Sequence, residues 1–361
     1  MQESKNTMIN NSLYLEDLKR ASESDLPWHK LSNTKVVISG ASGLLGSFLV
    51  DLIMYKNMTE NLKCKIYAIG RNEEKARKKF EEYWKNDFFL FTKLDINSAI
   101  KLNWEGSFDY VLHMASNTHP LEYSSDPIGT IVTNVVGTNN MLKFAVMHNS
   151  KRFLFASSNE IYGENRNDVE LFDESYCGYL DSNTLRAGYP ESKRCGEALC
   201  QAYRQKEKLD VVIARFTRSY GPTIQDDDTK AITQFIKNAV KKENIVLKSE
   251  GNQYYSYTYV ADAIIGALTI LLKGEDGQAY NIADKSSDIK LRDLASFLAE
   301  YTNTSVIYKC PEATEKMGYS VVTKARLDGR KLMNLGWKAQ FDIKTGIKRT
   351  VEILRQTDVL R

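Results

Sequence analysis

A short apolar run, Val36-Val-Ile-Ser39, breaks into the turn Gly40-Ala-Ser-Gly43-Leu-Leu-Gly46, and from Leu44 to Met54 apolar residues return at helical spacing. No other feature limits the fold of this chain as much. A strand, a glycine turn and a helix in direct succession form the opening unit of a parallel α/β sheet. Gly40 permits the tight turn, Gly43 lets the backbone approach a ligand closely, and Gly46 lets helix and strand pack together. The helix start also presents free N–H groups and a partial positive charge, which suit the phosphates of a dinucleotide. Gly40, Ser42, Gly43, Leu45 and Gly46 are therefore candidate cofactor-binding residues.

The alternation continues. Lys65–Ile69, Phe89–Lys93, Tyr110–Met114, Arg152–Ala156 and Val211–Arg215 read as strands, and helical segments separate most of them. This pattern predicts a Rossmann-type, doubly wound parallel sheet covered on both faces. Residues 35–215 are expected to form the dinucleotide-binding domain. Residues 216–361 are expected to form mainly a smaller C-terminal substrate-binding lobe, with some segments returning to the sheet. Within that lobe Lys230–Lys242, Ala261–Leu272 and Leu291–Tyr301 read as helices, and Gly251–Val260 as an aromatic-rich loop or strand. Residues 1–34 read as an N-terminal extension, an arm or short helix packed on the body.

The end of the second strand selects the cofactor. An acidic side chain there suits the ribose 2′-OH, whereas an arginine accommodates a 2′-phosphate. The chain has Gly70-Arg71-Asn72 followed by Glu73-Glu74. Arg71 favours NADP(H); NAD(H) is the alternative, with Glu73 reaching the ribose. Asp95 and Ile96, after the third strand, are candidates for the adenine rim, and Asn72 and Ala115 are further candidate cofactor-binding residues.

Catalytic candidates lie in Ser158-Asn159-Glu160 and in Arg186-Ala-Gly-Tyr189-Pro-Glu-Ser-Lys193. Tyr189 and Lys193 are one helical turn apart and share a face. A phenol ordinarily ionises near pH 10, so the charge of the lysine, with that of the nicotinamide ring in the oxidised cofactor, is expected to lower the pKa of Tyr189 and make it an acid/base. Ser158, at the end of the fifth strand, would hold the reacting oxygen, and Glu160 is a possible second base. Thr118 and His119, after the fourth strand, are expected near the substrate, as are Asn159, Arg186, Arg218 and Tyr255. Asn134 is expected to brace the active-site strand through backbone hydrogen bonds.

Composition narrows the class. With 49 basic and 46 acidic residues the net charge is +3, which gives no reason to expect nucleic acid or an anionic membrane as partner. No apolar run approaches the roughly 18–20 residues needed to span a bilayer. The N-terminus has no apolar signal core. The five cysteines and four histidines show no metal-ligand spacing, so a reduced cytoplasmic protein without metal is expected.

These motifs resemble the extended short-chain dehydrogenase/reductase family, whose members act on nucleotide-activated sugars. The resemblance covers about residues 35–355. It implies that Ser158, Tyr189 and Lys193 are catalytic, that the C-terminal part grips the nucleotide diphosphate, and that the protein is a homodimer. Within the family the chain looks most like UDP-glucuronate decarboxylases, in Tyr123-Ser-Ser-Asp-Pro-Ile-Gly-Thr130, Thr133-Asn134-Val-Val-Gly-Thr138, Glu160 and Glu174-Ser-Tyr-Cys-Gly178. Arg186, Tyr189, Glu191, Lys193 and Arg194 follow at similar spacing.

Four positions depart from these patterns. Arg71 stands where decarboxylases usually carry an acid, Arg218 where they carry Asn, and Tyr255 where they carry an Arg that helps hold the substrate's charged groups. Asn159 stands where glucose-type 4,6-dehydratases carry an acidic proton donor. Arg218 is expected to take over anion binding from a different direction. Three readings follow. The first is a decarboxylase, dehydratase or epimerase with a recycled cofactor, working on surface-polysaccharide precursors. The second is a net NADPH-dependent reductase of a CDP- or UDP-linked ketose or keto-sugar. The third is a non-catalytic NADP-binding protein.

Overall fold

The computed structural model describes residues 7–100, 102, 104–118, 120–312, 319 and 322–357. Its centre is a seven-stranded sheet built from β1 (Lys35–Ser39), β2 (Lys65–Gly70), β3 (Phe89–Lys93), β4 (Tyr110–His113), β5 (Arg152–Ser158), β6 (Val211–Phe216) and a later strand, Ala279–Ile282. The spatial order is Ala279–Ile282, β6, β5, β4, β1, β2, β3, and every pairing is parallel. In β1, β4 and β6 almost every residue is buried, as expected where helices cover both faces.

The strand order reverses between β1 and β4. That reversal opens a crevice at the carboxyl ends of the strands, where ligands of such sheets bind. The segments that follow β1, β4 and β5 all emerge there: the glycine turn, residues 114–118 and Asn159-Glu160.

The chain before β1 packs on the body. Helix α1 (Ser12–Ser22) starts at Asn11, whose side chain accepts from the Tyr14 amide. The Tyr14 hydroxyl donates to Asp51 at 2.6 Å, and Asp51 lies on α2 (Leu44–Glu60). Asp17 accepts from the Tyr259 hydroxyl at 2.5 Å and from Arg349 Nε at 2.7 Å. The extension is thus joined to both ends of the sequence.

Helix α3 (Glu73–Lys79) follows β2, and α4 (Pro120–Ser125) and α5 (Pro127–Val132) follow β4. One π-helical turn, Thr133–Gly137, links α5 to α6 (Thr138–Met147). Helix α7 (Gly188–Glu207) carries the Tyr189–Lys193 pair.

The later residues build around a second sheet: β7 (Arg218–Tyr220) pairs with β8 (Tyr254–Tyr259), and β8 pairs with Asp288–Lys290 and Lys324–Ala325. Helices α8 (Ala231–Val240), α9 (Val260–Lys273) and α10 (Leu291–Thr302) occupy the predicted positions within one or two residues. All but the last residue of α9 are buried, so that apolar run is a core helix. No helix among the described residues is long and apolar enough to cross a membrane.

Candidate active site

The glycine turn is a cradle made of backbone. Gly40 has φ +72°, and a Cβ there would lie 2.7 Å from the Ala115 nitrogen. A Cβ on Gly46 would lie 2.3 Å from the Gly40 carbonyl oxygen. Helix α2 begins at Gly43 with no side-chain cap and no acid in its first turn. Its leading N–H groups are thus left to a ligand, and an anion there is favoured by the helix dipole. These features fit the pyrophosphate of a nicotinamide dinucleotide.

Three side chains absent from the sequence-based expectations hold this turn. Gln225 Nε2 donates to the Ser42 carbonyl at 3.0 Å, and Lys79 Nζ to the Ser42 and Thr223 carbonyls at 3.4 and 3.3 Å. The Thr223 hydroxyl donates to the Leu44 carbonyl at 2.7 Å. Burial brings Lys79 down to about 8, against the opposing charge of Asp51. No sequence motif marks these contacts, because Thr223 and Gln225 lie about 180 residues from the turn.

The adenosine-side candidates are less concentrated. Arg71 is exposed and makes no hydrogen bond or ion pair among the described residues. The Asn72 side chain caps α3 by accepting from the Lys75 amide at 2.9 Å, a local structural role that the sequence reading did not assign. Glu73 faces Arg77 at 3.9 Å. Asp95 is exposed and accepts from the Asn97 amide. Ile96 is buried against Gly137, so its side chain belongs to the core and not to an open rim.

The catalytic candidates meet in one cavity of about 820 Å³. Ser158, Asn159, Glu160, Arg186, Tyr189 and Lys193 line it, together with Gly40, Gly43, Leu45, Gly46, Thr118, Arg218 and Tyr255. Ser42, Arg71, Asn72, Asp95, Ile96 and Ala115 do not line it. His119 lies outside the described residues.

The Tyr189 ring is buried and stacks on Tyr123, with centroids 4.7 Å apart. Lys193 Nζ sits 6.0 Å from the Tyr189 ring and donates to the Ala156 carbonyl at 2.8 Å. The protein's own groups, taken without the cofactor's charge, act on Tyr189 in the other direction. Burial, then the charge of Glu160, push the Tyr189 phenol above its usual range; the Ser158 hydroxyl, Arg186 and Tyr123 oppose this without reversing it. Burial itself brings Lys193 down to about 7, with Glu197 acting to raise it. Protein groups alone therefore leave Tyr189 protonated at neutral pH.

Glu160 accepts from Arg186 Nη2 at 2.5 Å, and the Arg186 guanidinium covers the Tyr123 ring at 4.6 Å. Tyr123 is thus central to the site. Its signal in the sequence was the segment Tyr123–Thr130, read only as a likeness. Asn134 braces the site, but through side chains and not the backbone. It accepts from the Ser116 hydroxyl at 2.7 Å and donates to the Ser192 hydroxyl at 2.9 Å, and Ser192 in turn donates to the Tyr189 carbonyl. His113, at the end of β4, bonds Ser39 and Thr138, and burial holds it down to about 3, a neutral structural histidine.

Among the described residues no cluster of three or more His, Cys, Asp or Glu side chains could hold a metal ion. The five cysteines are free thiols.

Comparison with known proteins agrees with this geometry. UDP-glucuronic acid decarboxylase 5 of Arabidopsis thaliana is 28% identical over 327 residues, 90% of each chain. UDP-glucuronic acid decarboxylase 1 of Danio rerio is 27% identical over 320 residues, 88% of this chain and 72% of the relative. Among solved structures, DesIV, a dTDP-glucose 4,6-dehydratase from Streptomyces venezuelae, superposes with a TM-score of 0.76 at 22% identity, covering 91% of this chain and 100% of that one. A UDP-glucuronic acid 4-epimerase from Bacillus cereus gives 0.74 at 20% identity, covering 89% and 99%. These two show a shared fold. The model of the NAD dependent epimerase/dehydratase family matches residues 36–283, and the chain belongs to that family.

Proposed function

We propose that the chain is a nucleotide-sugar enzyme that decarboxylates UDP-glucuronate, or a close nucleotide uronate, with its nicotinamide cofactor recycled in each turnover. One observation carries the reading: Ser158, Tyr189, Lys193 and the Glu160–Arg186 pair converge on the cavity that also receives the glycine turn. The decarboxylase relatives, at 28% identity over most of both chains, support it. The substrate's UDP would lie toward the later residues, where Lys248 and Lys309 line the same cavity.

The nicotinamide supplies the hydride acceptor and donor and, when oxidised, a positive charge that draws the Tyr189 phenol back toward ionisation. The chain's own groups do the rest. Ser158 orients the C4 oxygen and Tyr189 takes or returns its proton. Lys193, anchored on the Ala156 carbonyl, places its charge beside the ring. Once C4 is a ketone, the C5 carboxylate is β to it. Its C–C bond can then break, with the electron pair entering the enolate and carbon dioxide leaving. Glu160, held by Arg186, handles the proton at C5.

A second reading, a net NADPH-dependent reductase of a nucleotide-linked keto-sugar, is favoured by Arg71, which stands exposed and unengaged after β2. We assign NADP(H) preference to that side chain, with NAD(H) as the alternative. A homodimer is supported by Ile128, Val136 and Met147, which are 75%, 40% and 74% exposed on the α5–α6 face. The free thiols fit a cytoplasmic setting.

The test is incubation of purified protein with UDP-glucuronate, following product mass and nicotinamide absorbance together. Loss of the mass of carbon dioxide with no net absorbance change is expected. Recovery of unchanged UDP-glucuronate, alongside stoichiometric oxidation of NADPH by a UDP- or CDP-linked keto-sugar, would replace decarboxylation with the reductase reading.

A further inference from the structure

The charges around Glu160 do not balance in the same way on its two sides. Arg186 is answered by Glu160 itself, at 2.5 Å. Among the described residues no carboxylate forms an ion pair with Arg218. Its Cζ lies over the Tyr255 ring, 3.4 Å from the centroid, and its Nη1 is buried with no hydrogen-bond partner among the described residues. A buried guanidinium N–H without an acceptor is costly, and the cost is removed by an anion.

The placement of Arg218 shows which part of a substrate would meet it. A second cavity of about 280 Å³ adjoins the first, and the residues that line both are Asn159, Glu160, Arg186 and Arg218. Arg218 therefore stands at the catalytic end. Tyr255, Arg218, Glu160 and Arg186 all line the larger cavity. Tyr255 is fixed at its far end, where its hydroxyl donates to the Val322 carbonyl at 2.6 Å. β7 is held against β8 with Arg218 opposite Tyr257. The guanidinium is thus pre-positioned by a stack below and a strand pairing behind.

We propose that Arg218 reads the carboxylate of the sugar, and that the Arg218–Tyr255 stack is the specificity element separating uronates from uncharged nucleotide sugars. The proposal rests on the nucleotide-uronate reading above and adds which group recognises the acid. A planar guanidinium can meet a carboxylate with two parallel N–H···O bonds, which a lysine cannot. Tyr255 gives no charge of its own; its role is to hold the plane of Arg218.

The test compares binding of UDP-glucuronate and UDP-xylose, which differ by the carboxylate alone, by calorimetry with the cofactor saturating. A Tyr189→Phe background prevents turnover. The background protein is expected to prefer UDP-glucuronate by about tenfold or more, the size of a charge-assisted bond. Arg218→Gln should bring the two affinities within about twofold by weakening only UDP-glucuronate, and Arg218→Lys should restore part of the preference. Equal weakening of both ligands, an unchanged preference, or a background protein that binds neither ligand or shows no preference would each overturn the assignment. Turnover of UDP-glucuronate by the unmodified protein is read separately. Turnover with an unchanged preference in Arg218→Gln sinks the assignment and leaves the proposed reaction standing. A preference lost in Arg218→Gln, with no turnover by the unmodified protein, supports the assignment and sinks the decarboxylation.

Discussion

The two halves of the cavity are made from different material. On the side proposed for the cofactor the wall is backbone: Gly40 and Gly46 leave no room for a Cβ, Gly43 leaves only a tight one, and the start of α2 has no side-chain cap. On the substrate side the wall is side chains brought from distant segments: Tyr123, Glu160, Arg186, Tyr189, Arg218 and Tyr255. A backbone wall tolerates few substitutions but recognises only what all dinucleotides share. A side-chain wall can be rewritten one position at a time. The difference separates what this chain inherits from its family from what it decides for itself.

The comparison predicts separable failures. Tyr189→Phe should lower kcat by about 10³-fold while cofactor affinity stays unchanged, since the phenol proton is lost and the ring stack with Tyr123 is kept. Steady-state rates and a cofactor titration check this together, and a parallel loss of cofactor affinity would merge the two halves.

Gly46→Ala attacks the backbone wall. Its new Cβ would meet the Gly40 carbonyl oxygen at 2.3 Å, so cofactor affinity should fall by up to about 100-fold through overpacking. Fluorescence titration with the reduced cofactor reads this, and unaltered affinity would show that the turn is not the pyrophosphate site.

Lys79→Met removes the donor to the Ser42 and Thr223 carbonyls. Cofactor Kd should rise by about tenfold, within the range of a charged hydrogen bond. Substrate KM at saturating cofactor should stay constant; a change in KM alone would move Lys79 to the other half.

The smallest effect concerns stability. Burial raises Asp51 to about 7, well above its ordinary value, with the Tyr14 bond acting against this. The native state then holds a proton that the unfolded chain releases. Stability from this group is fully present below about pH 4 and is lost as pH rises through 7. Asp51→Asn removes that loss. The Tm of the variant relative to wild type should rise by about 2 °C between pH 5 and pH 8, and a flat difference would contradict the buried-proton account.

Much of this fold can be read along the chain, because the parallel sheet is a local code. Six of its seven strands appear as short apolar runs between helical stretches. Ala279–Ile282 was missed: its four residues, Ala-Tyr-Asn-Ile, carry no clear period, and only pairing with β6 makes them a strand. The catalytic candidates were legible for the same reason, since Ser158 closes a strand and Tyr189–Lys193 shares a helix face. What was not legible depends on tertiary neighbours. Burial raises Tyr189, an effect that its spacing to Lys193 does not reveal. Asn72 turned out to cap α3, and the bracing of the glycine turn by Thr223 and Gln225 spans the sequence.

The central claim is that one site removes and returns the same hydride. It is tested most directly with UDP-glucuronate deuterated at C4, in the presence of excess unlabelled cofactor. The account predicts a pentose product that has lost carbon dioxide and keeps the deuterium at C4. A decarboxylated product without deuterium at C4, with the label recovered in free reduced cofactor, would contradict it.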